Sequence, residues 1–117
     1  MEMTYIETIR GHPYLDIKKA EEVLCKGYTY TRNIIKEIET GMINGVEVKE
    51  LKERYSRYAV VRDGSKTVLV NYYVLIDYVA TRSMLKDRNA RKYAQPFEPD
   101  VLAREMGFGS KIVKVAV

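Results

Sequence analysis

Two β-branched and aromatic runs, Tyr58 to Val61 and Thr67 to Val70, are joined by Arg62-Asp63-Gly64-Ser65-Lys66, and this stretch restricts the chain most. Asp-Gly supplies the positive φ angles a tight connection demands, so the two runs are expected to pair as an antiparallel hairpin. Helical periods flank it on both sides. Behind Asp16, a good N-cap, Ile17, Ala20, Val23 and Leu24 recur at helical spacing, with Lys18, Lys19, Glu21 and Glu22 filling the other face. This first helix is expected to end near Lys26-Gly27, with Lys18 and Glu22 spaced for an i,i+4 pair. Thr29 and Thr31 are alternative N-caps for a second helix, whose apolar stripe is Thr31, Ile34, Ile35 and Ile38 and whose stop is Gly41. After the hairpin, Asn71 caps a helix through about Lys86, with Leu75, Tyr78, Val79 and Arg82 on one face and Tyr72 and Ile76 on a neighbouring one.

At 117 residues, 46% apolar and 31% charged, the chain has the make-up of one ordinary globular domain. No run approaches the roughly 20 apolar residues of a membrane span, and Met1 to Arg10 lacks the order of a signal peptide, so a cytoplasmic protein is expected. One cysteine, Cys25, excludes an intramolecular disulfide, and with His12 as the lone histidine no zinc site can be assembled; Cys25 reads as a buried small hydrophobe. His12, between Gly11 and Pro13, reads as part of a turn. No phosphate-loop, dinucleotide or zinc-protease pattern occurs, and neither cofactor, metal nor catalysis is expected.

Outside the central stretch the signals are weaker. Residues 1–13 read as a short strand or an ordered arm. In Met42 to Arg57, Asn44-Gly45 is a turn signal, and Val48, Leu51, Lys52 and Tyr55 share one face of a third, charged helix. Asp87 to Gln95 is polar and basic, Pro99 and Asp100 open a further helix that Gly107 stops, and Ile112 to Val117 looks like a short strand. Ten tyrosines accompany two phenylalanines and no tryptophan; Tyr58, Tyr72, Tyr73 and Tyr78 alternate with aliphatics and read mostly as core or core edge. The net charge of +4 is unevenly spread: Arg54 to Lys92 holds nine basic residues against three acidic ones, which points to contact with phosphate.

Helix, helix, hairpin and helix follow in the order of a small winged helix-turn-helix, whose second helix lies in a DNA groove and whose hairpin rests on the adjacent backbone. The expected fold is therefore mainly α with a small β-hairpin: an N-terminal arm over 1–13, a winged helix-turn-helix domain over 14–86 with an insertion at 42–57, and a basic linker with a C-terminal helical extension over 87–117. Tyr14-Leu15-Asp16-Ile17-Lys18-Lys19-Ala20-Glu21-Glu22-Val23-Leu24 resembles the opening helix of the excisionase and MerR-like winged-helix DNA-binding family, with its Leu-x-x-x-x-Ala-x-x-Leu-like pattern. Tyr30 to Gly41 resembles that family's second helix, Arg57 to Val70 its wing and Asn71 to Val79 its closing helix. Residues 42–56 are longer than the family's usual link, and 87–117 have no counterpart in the minimal fold. The resemblance implies a protein of phages and mobile elements that acts in DNA recombination or transcription regulation, with an integrase or recombinase as a partner.

On this reading Arg32, Asn33 and Lys36 face the major groove, where Arg reads guanine and Asn adenine by paired hydrogen bonds. Thr29 and Tyr30 meet phosphate at the helix start. Arg62, Ser65 and Lys66 form the wing contact, and Arg88, Arg91 and Lys92 a basic arm. Each has a plainer alternative: a solvated helix face, a hairpin tip made soluble by charge, a polar linker. The expected activity is thus non-catalytic binding of double-stranded DNA by copies that associate. The rival is a protein-protein interaction module that uses the same fold without DNA.

Overall fold

A computed structural model describes residues 7–9, 12–55, 57–64 and 67–105 of the chain. Ser65 and Lys66 of the expected wing tip, the expected stop at Gly107 and the expected strand from Ile112 to Val117 lie outside the described residues. The architecture is α+β, mostly helical with a small antiparallel sheet. Strands β1 (Glu7–Ile9) and β2 (His12–Leu15) lead into α1 (Ile17–Leu24) and α2 (Tyr28–Thr40). A two-residue hairpin, β3 (Met42–Ile43) and β4 (Val46–Glu47), precedes α3 (Lys49–Arg54). A 3₁₀ turn at Arg57–Ala59 then opens the second hairpin, β5 (Val60–Asp63) and β6 (Thr67–Asn71). Helix α4 (Tyr72–Lys86), a 3₁₀ turn at Arg91–Tyr93 and α5 (Pro99–Glu105) complete the order.

The sheet runs β1-β2-β6-β5, antiparallel throughout, with Tyr14 opposite Asn71 and Leu15 opposite Val70. This places β2 next to the second strand of the later hairpin and ties the start of the domain to its middle. Tyr14 and Leu15 are both buried, and the Tyr14 hydroxyl donates to the Tyr58 carbonyl at 2.5 Å. That anchorage holds the approach to α1 extended, so His12 and Pro13 belong to β2 rather than to a turn.

Helix starts follow the expected caps where a side chain supplies them. Asp16 accepts from the Lys19 amide, and Asn71 from the Val74 amide. Two details differ. Helix α1 ends at Leu24, and Cys25, not a glycine, takes the left-handed conformation (φ 55°), its amide returning to the Glu21 and Glu22 carbonyls. Cys25 is consequently turned out to solvent instead of being buried. Gly27, freed from ending α1, is instead the N-cap of α2, so that helix starts at Tyr28 without the threonine cap expected of Thr29 or Thr31. The pairing on α1 also shifts: Lys19, not Lys18, reaches Glu22, at 3.1 Å.

The core gathers the apolar faces of all these elements. Thr31, Ile34, Ile35 and Ile38 of α2 are buried as a stripe, against Ala20 of α1, Leu15 and Val70 of the sheet and Leu75 and Tyr78 of α4. The insertion is part of this core, since Ile43, Val48, Leu51 and Tyr55 are buried too. Lys52, expected on the same face, is exposed; its side-chain stem runs across Gly41, where a Cβ would stand 2.0 Å from Lys52 Cγ. Gly41 is thus required twice, by this approach and by its φ of 73°. The chain after α4 turns back on the same core, Phe97 stacking edge-on to Tyr55 with ring centroids 5.1 Å apart. Of the four tyrosines read as core, Tyr73 and Tyr78 are buried, Tyr72 is half-buried and Tyr58 is exposed because it sits in the 3₁₀ turn before β5.

Candidate nucleic-acid interface

Burial of Thr31, Ile34, Ile35 and Ile38 decides which way the rest of α2 points. At 3.6 residues per turn, Thr29, Asn33, Lys36 and Thr40 come to the side opposite that stripe, and all four are exposed. Arg32 flanks this crest on one side, Tyr30 and Glu37 on the other. On the Arg32 side, α2 and the β5–β6 hairpin enclose a groove of about 280 Å³ in which Tyr28, Arg32, Lys36 and Arg62 stand over Ile17, Ile35 and Val68. On the Tyr30 side, α2 and the β3–β4 hairpin bound a second groove of about 470 Å³, lined among others by Tyr30, Asn33, Lys36, Asn44 and Arg82. Lys36 borders both. Arg32, Asn33 and Lys36 are all exposed on α2, Arg32 in the first groove, Asn33 in the second and Lys36 between them.

The insertion therefore leaves the crest open. Helix α3 packs against α2 away from the exposed crest and reaches α4 at its end, where Arg54 grips Asp77 through two hydrogen bonds of 2.8 and 3.2 Å and the Tyr55 hydroxyl donates to the same carboxylate. Burial raises the Tyr55 phenol well above its usual range, and Asp77 adds to the effect.

The cluster of positive charge is smaller than the sequence implies. Arg54, Arg62, Arg82 and Arg91 are each drawn to a carboxylate: Asp77, Glu39, Glu37 and Glu50. Three of those acids lie outside the basic window from Arg54 to Lys92, so folding brings neutralising charge in from elsewhere. Arg62 donates from Nε and Nη2 to the two oxygens of Glu39, at 2.7 and 2.8 Å, which fastens the β5–β6 hairpin to the last turn of α2. The hydrogen bonds from Arg62 hold the Glu39 carboxyl below its ordinary value against a partial loss of solvent, with Lys36 helping. Deeper in, Arg82 grips Glu37 in the same way and the Tyr78 hydroxyl donates to it at 2.5 Å. Burial pushes the Glu37 carboxyl up, but the bonds from Arg82 and Tyr78 and the charges of Arg82 and Lys86 outweigh it and leave the group acidified. Arg32 and Lys36 have no ion pair among the described residues, so they are the crest's available cations.

At the helix start, Tyr28 and Tyr30 are 55% and 38% exposed, and Lys26 Nζ lies 5.5 Å from the centre of the Tyr30 ring. Gly27 offers no side-chain cap, so the first amides of α2 have no side-chain partner there. The expected basic arm is not brought to this face. Arg91 and Lys92 line a separate cleft with Glu50, Glu53 and Arg54, Arg91 lying 3.8 Å from Glu50, and Arg88 lies in the exposed turn after α4. Arg91 is pulled aside because the 3₁₀ turn that carries it packs on α4 beside α3. Sequence reasoning missed Tyr28, Glu39 and the β3–β4 hairpin as neighbours of the site. Only Asn44-Gly45 carried a local signal; the Glu39–Arg62 pair spans 23 positions and has none.

Comparison with family models, with curated proteins and with solved structures finds no match for this chain. Among the described residues no helix is long and apolar enough to cross a membrane.

Proposed function

We propose that this chain is a non-catalytic, winged helix-turn-helix DNA-binding protein in which α2 enters the major groove and the β5–β6 hairpin lies on the neighbouring backbone. The observation that carries the reading is the exposed crest of α2, with Asn33 and Lys36 opposite the buried stripe and Arg32 and Arg62 beside them in one groove. Supporting it, α1 and α2 are joined by a turn of only three residues, Cys25 to Gly27, and β2, β6 and β5 form a sheet beside them. Arg32 and Asn33 carry the side chains that recognise guanine and adenine edges, while Lys36, Thr29 and Tyr30 supply phosphate contacts. The resemblance of Tyr14 to Leu24 to the opening helix of the excisionase and MerR-like family supports a role in phage or mobile-element recombination or transcription regulation beside an integrase, and on this reading neighbouring copies bind DNA cooperatively.

The test is binding to double-stranded fragments from the protein's own genomic neighbourhood, measured by retardation across a salt series. Affinity is expected to fall steeply with salt, because each phosphate contact displaces a counterion. Arg32→Ala should cost about tenfold or more on the preferred site and flatten the preference between sites, whereas Lys92→Ala should leave that preference intact. No shift at low salt would end the proposal and favour the protein-interaction module. The observation on that side is specific: Arg62 and Arg91 are already engaged by acids within the chain.

A further inference from the structure

We infer that the β3–β4 hairpin is a second backbone clamp, so that DNA seated on α2 is held on both flanks. This rests on the DNA-binding reading above and extends it to a segment that reading does not use. A helix of about 10–12 Å diameter fills a major groove about 12 Å wide, which puts a phosphate strand along each of its sides. One side of α2 faces the β5–β6 hairpin, the other the groove of about 470 Å³ that ends at Asn44 and Gly45. Lys36 borders both grooves, so a duplex that engages it lies across the two.

The chemistry of this second groove suits a phosphate strand. Among the described residues its unpaired cation is Lys36, and its carboxylate, Glu37, is already neutralised by Arg82 and bonded by Tyr78. The remaining acid of the hairpin, Glu47, is bonded by Lys52 at 2.9 Å. Uncharged donors complete the rim: the amides of Asn33 and Asn44 and the hydroxyl of Tyr30. Asn44 and Gly45 have φ of 53° and 79°, the turn that suits a two-residue hairpin, and it leaves both exposed at the tip.

The hairpin is also fixed relative to α2, as a clamp must be. Ile43 is buried in the core, the Met42 amide donates to Thr40 Oγ1 at 3.3 Å, and the Val48 amide donates to the Gly41 carbonyl at 2.9 Å. Its position is therefore set before DNA arrives.

Hydroxyl-radical footprinting of the full chain on its preferred fragment, with retardation in a salt series, tests the inference. Two protected backbone stretches are expected, one on each side of the groove that α2 reads. Asn44→Asp keeps a residue that tolerates positive φ and sets a negative charge at the tip; it should remove one stretch only and weaken binding about tenfold at low salt. Asn44→Gly removes the side-chain amide without charge or strain and should reduce the salt slope by about one or less. Wild-type affinity and an unchanged footprint for Asn44→Asp, with Arg32→Ala still abolishing site preference, would overturn the clamp and leave the DNA reading standing. No shift of any fragment by the unaltered chain would overturn both.

Discussion

Arg54 and Arg62 are each gripped through two nitrogens by a single carboxylate, yet they occupy opposite surroundings. The Arg54–Asp77 pair is 7% and 17% exposed and shares Asp77 with the Tyr55 hydroxyl; the Arg62–Glu39 pair is 49% and 30% exposed and stands at the rim of the groove beside α2. Inside, the bonds replace water that both partners have lost, so the pair is a fixed joint between α3 and α4. At the rim, water and salt compete with the same bonds, so Glu39 is a partner that a phosphate can displace. An arginine's pairing thus tells little about its role until its access to solvent is known.

The largest expected effect comes from breaking the inner pair. Asp77→Ala leaves Arg54 buried without a counter-charge and the Tyr55 hydroxyl without its acceptor, and should destabilise the fold by about 3 kcal/mol or more in urea denaturation. Arg62→Ala, the corresponding change at the rim, should cost under about 1 kcal/mol. Equal losses in the two variants would abolish the distinction.

Acid should divide the molecule along the same line. Glu37 and Glu39 both titrate below their ordinary value of 4.5 in the folded chain, so their contribution is present above that pH and is lost as pH falls through the lowered folded values. Unfolding midpoints followed from pH 6 to pH 2 should fall in this range. Glu37→Gln and Glu39→Gln should each flatten the decline, since each removes a carboxyl held below its ordinary value by an arginine. At the alkaline end the sign reverses: burial raises the Tyr55 and Tyr78 phenols above 10, so stability present below that pH is lost as pH rises beyond it.

How much of this was legible in the sequence depends on how far apart the interacting residues stand. The stripe of α2, its stop at Gly41 and the caps Asp16 and Asn71 each rest on residues within one or two turns, where helical spacing speaks directly. So does the crest, since a buried stripe implies its opposite face. The pairing of Tyr14 with Asn71 is different: β2 is four residues long, contains Pro13 and shows no alternation that would identify it. Cys25 defied the usual preference for glycine in the left-handed position because the close start of α2 claimed Gly27 as its cap. The basic window misled for a similar reason, as Glu37 meets Arg82 across 45 positions and Glu39 meets Arg62 across 23. Composition counts charges, and only the fold decides which of them remain available.

The smallest change in stability, and the sharpest test of the rim pair, is Glu39→Gln. The variant keeps the shape of the side chain and an oxygen for Arg62 but removes the negative charge, so the fold should lose under about 1 kcal/mol. Its effect on binding should run the other way. Arg62 no longer has a carboxylate to leave when a phosphate arrives, and Lys36 no longer has that negative charge beside it. Affinity for duplex DNA at low salt is therefore expected to rise about three- to tenfold, with the gain shrinking as salt screens the groove. A loss of affinity would mean that Glu39 positions Arg62 for contact instead of competing for it, and would make the rim pair a fixed joint like the inner one.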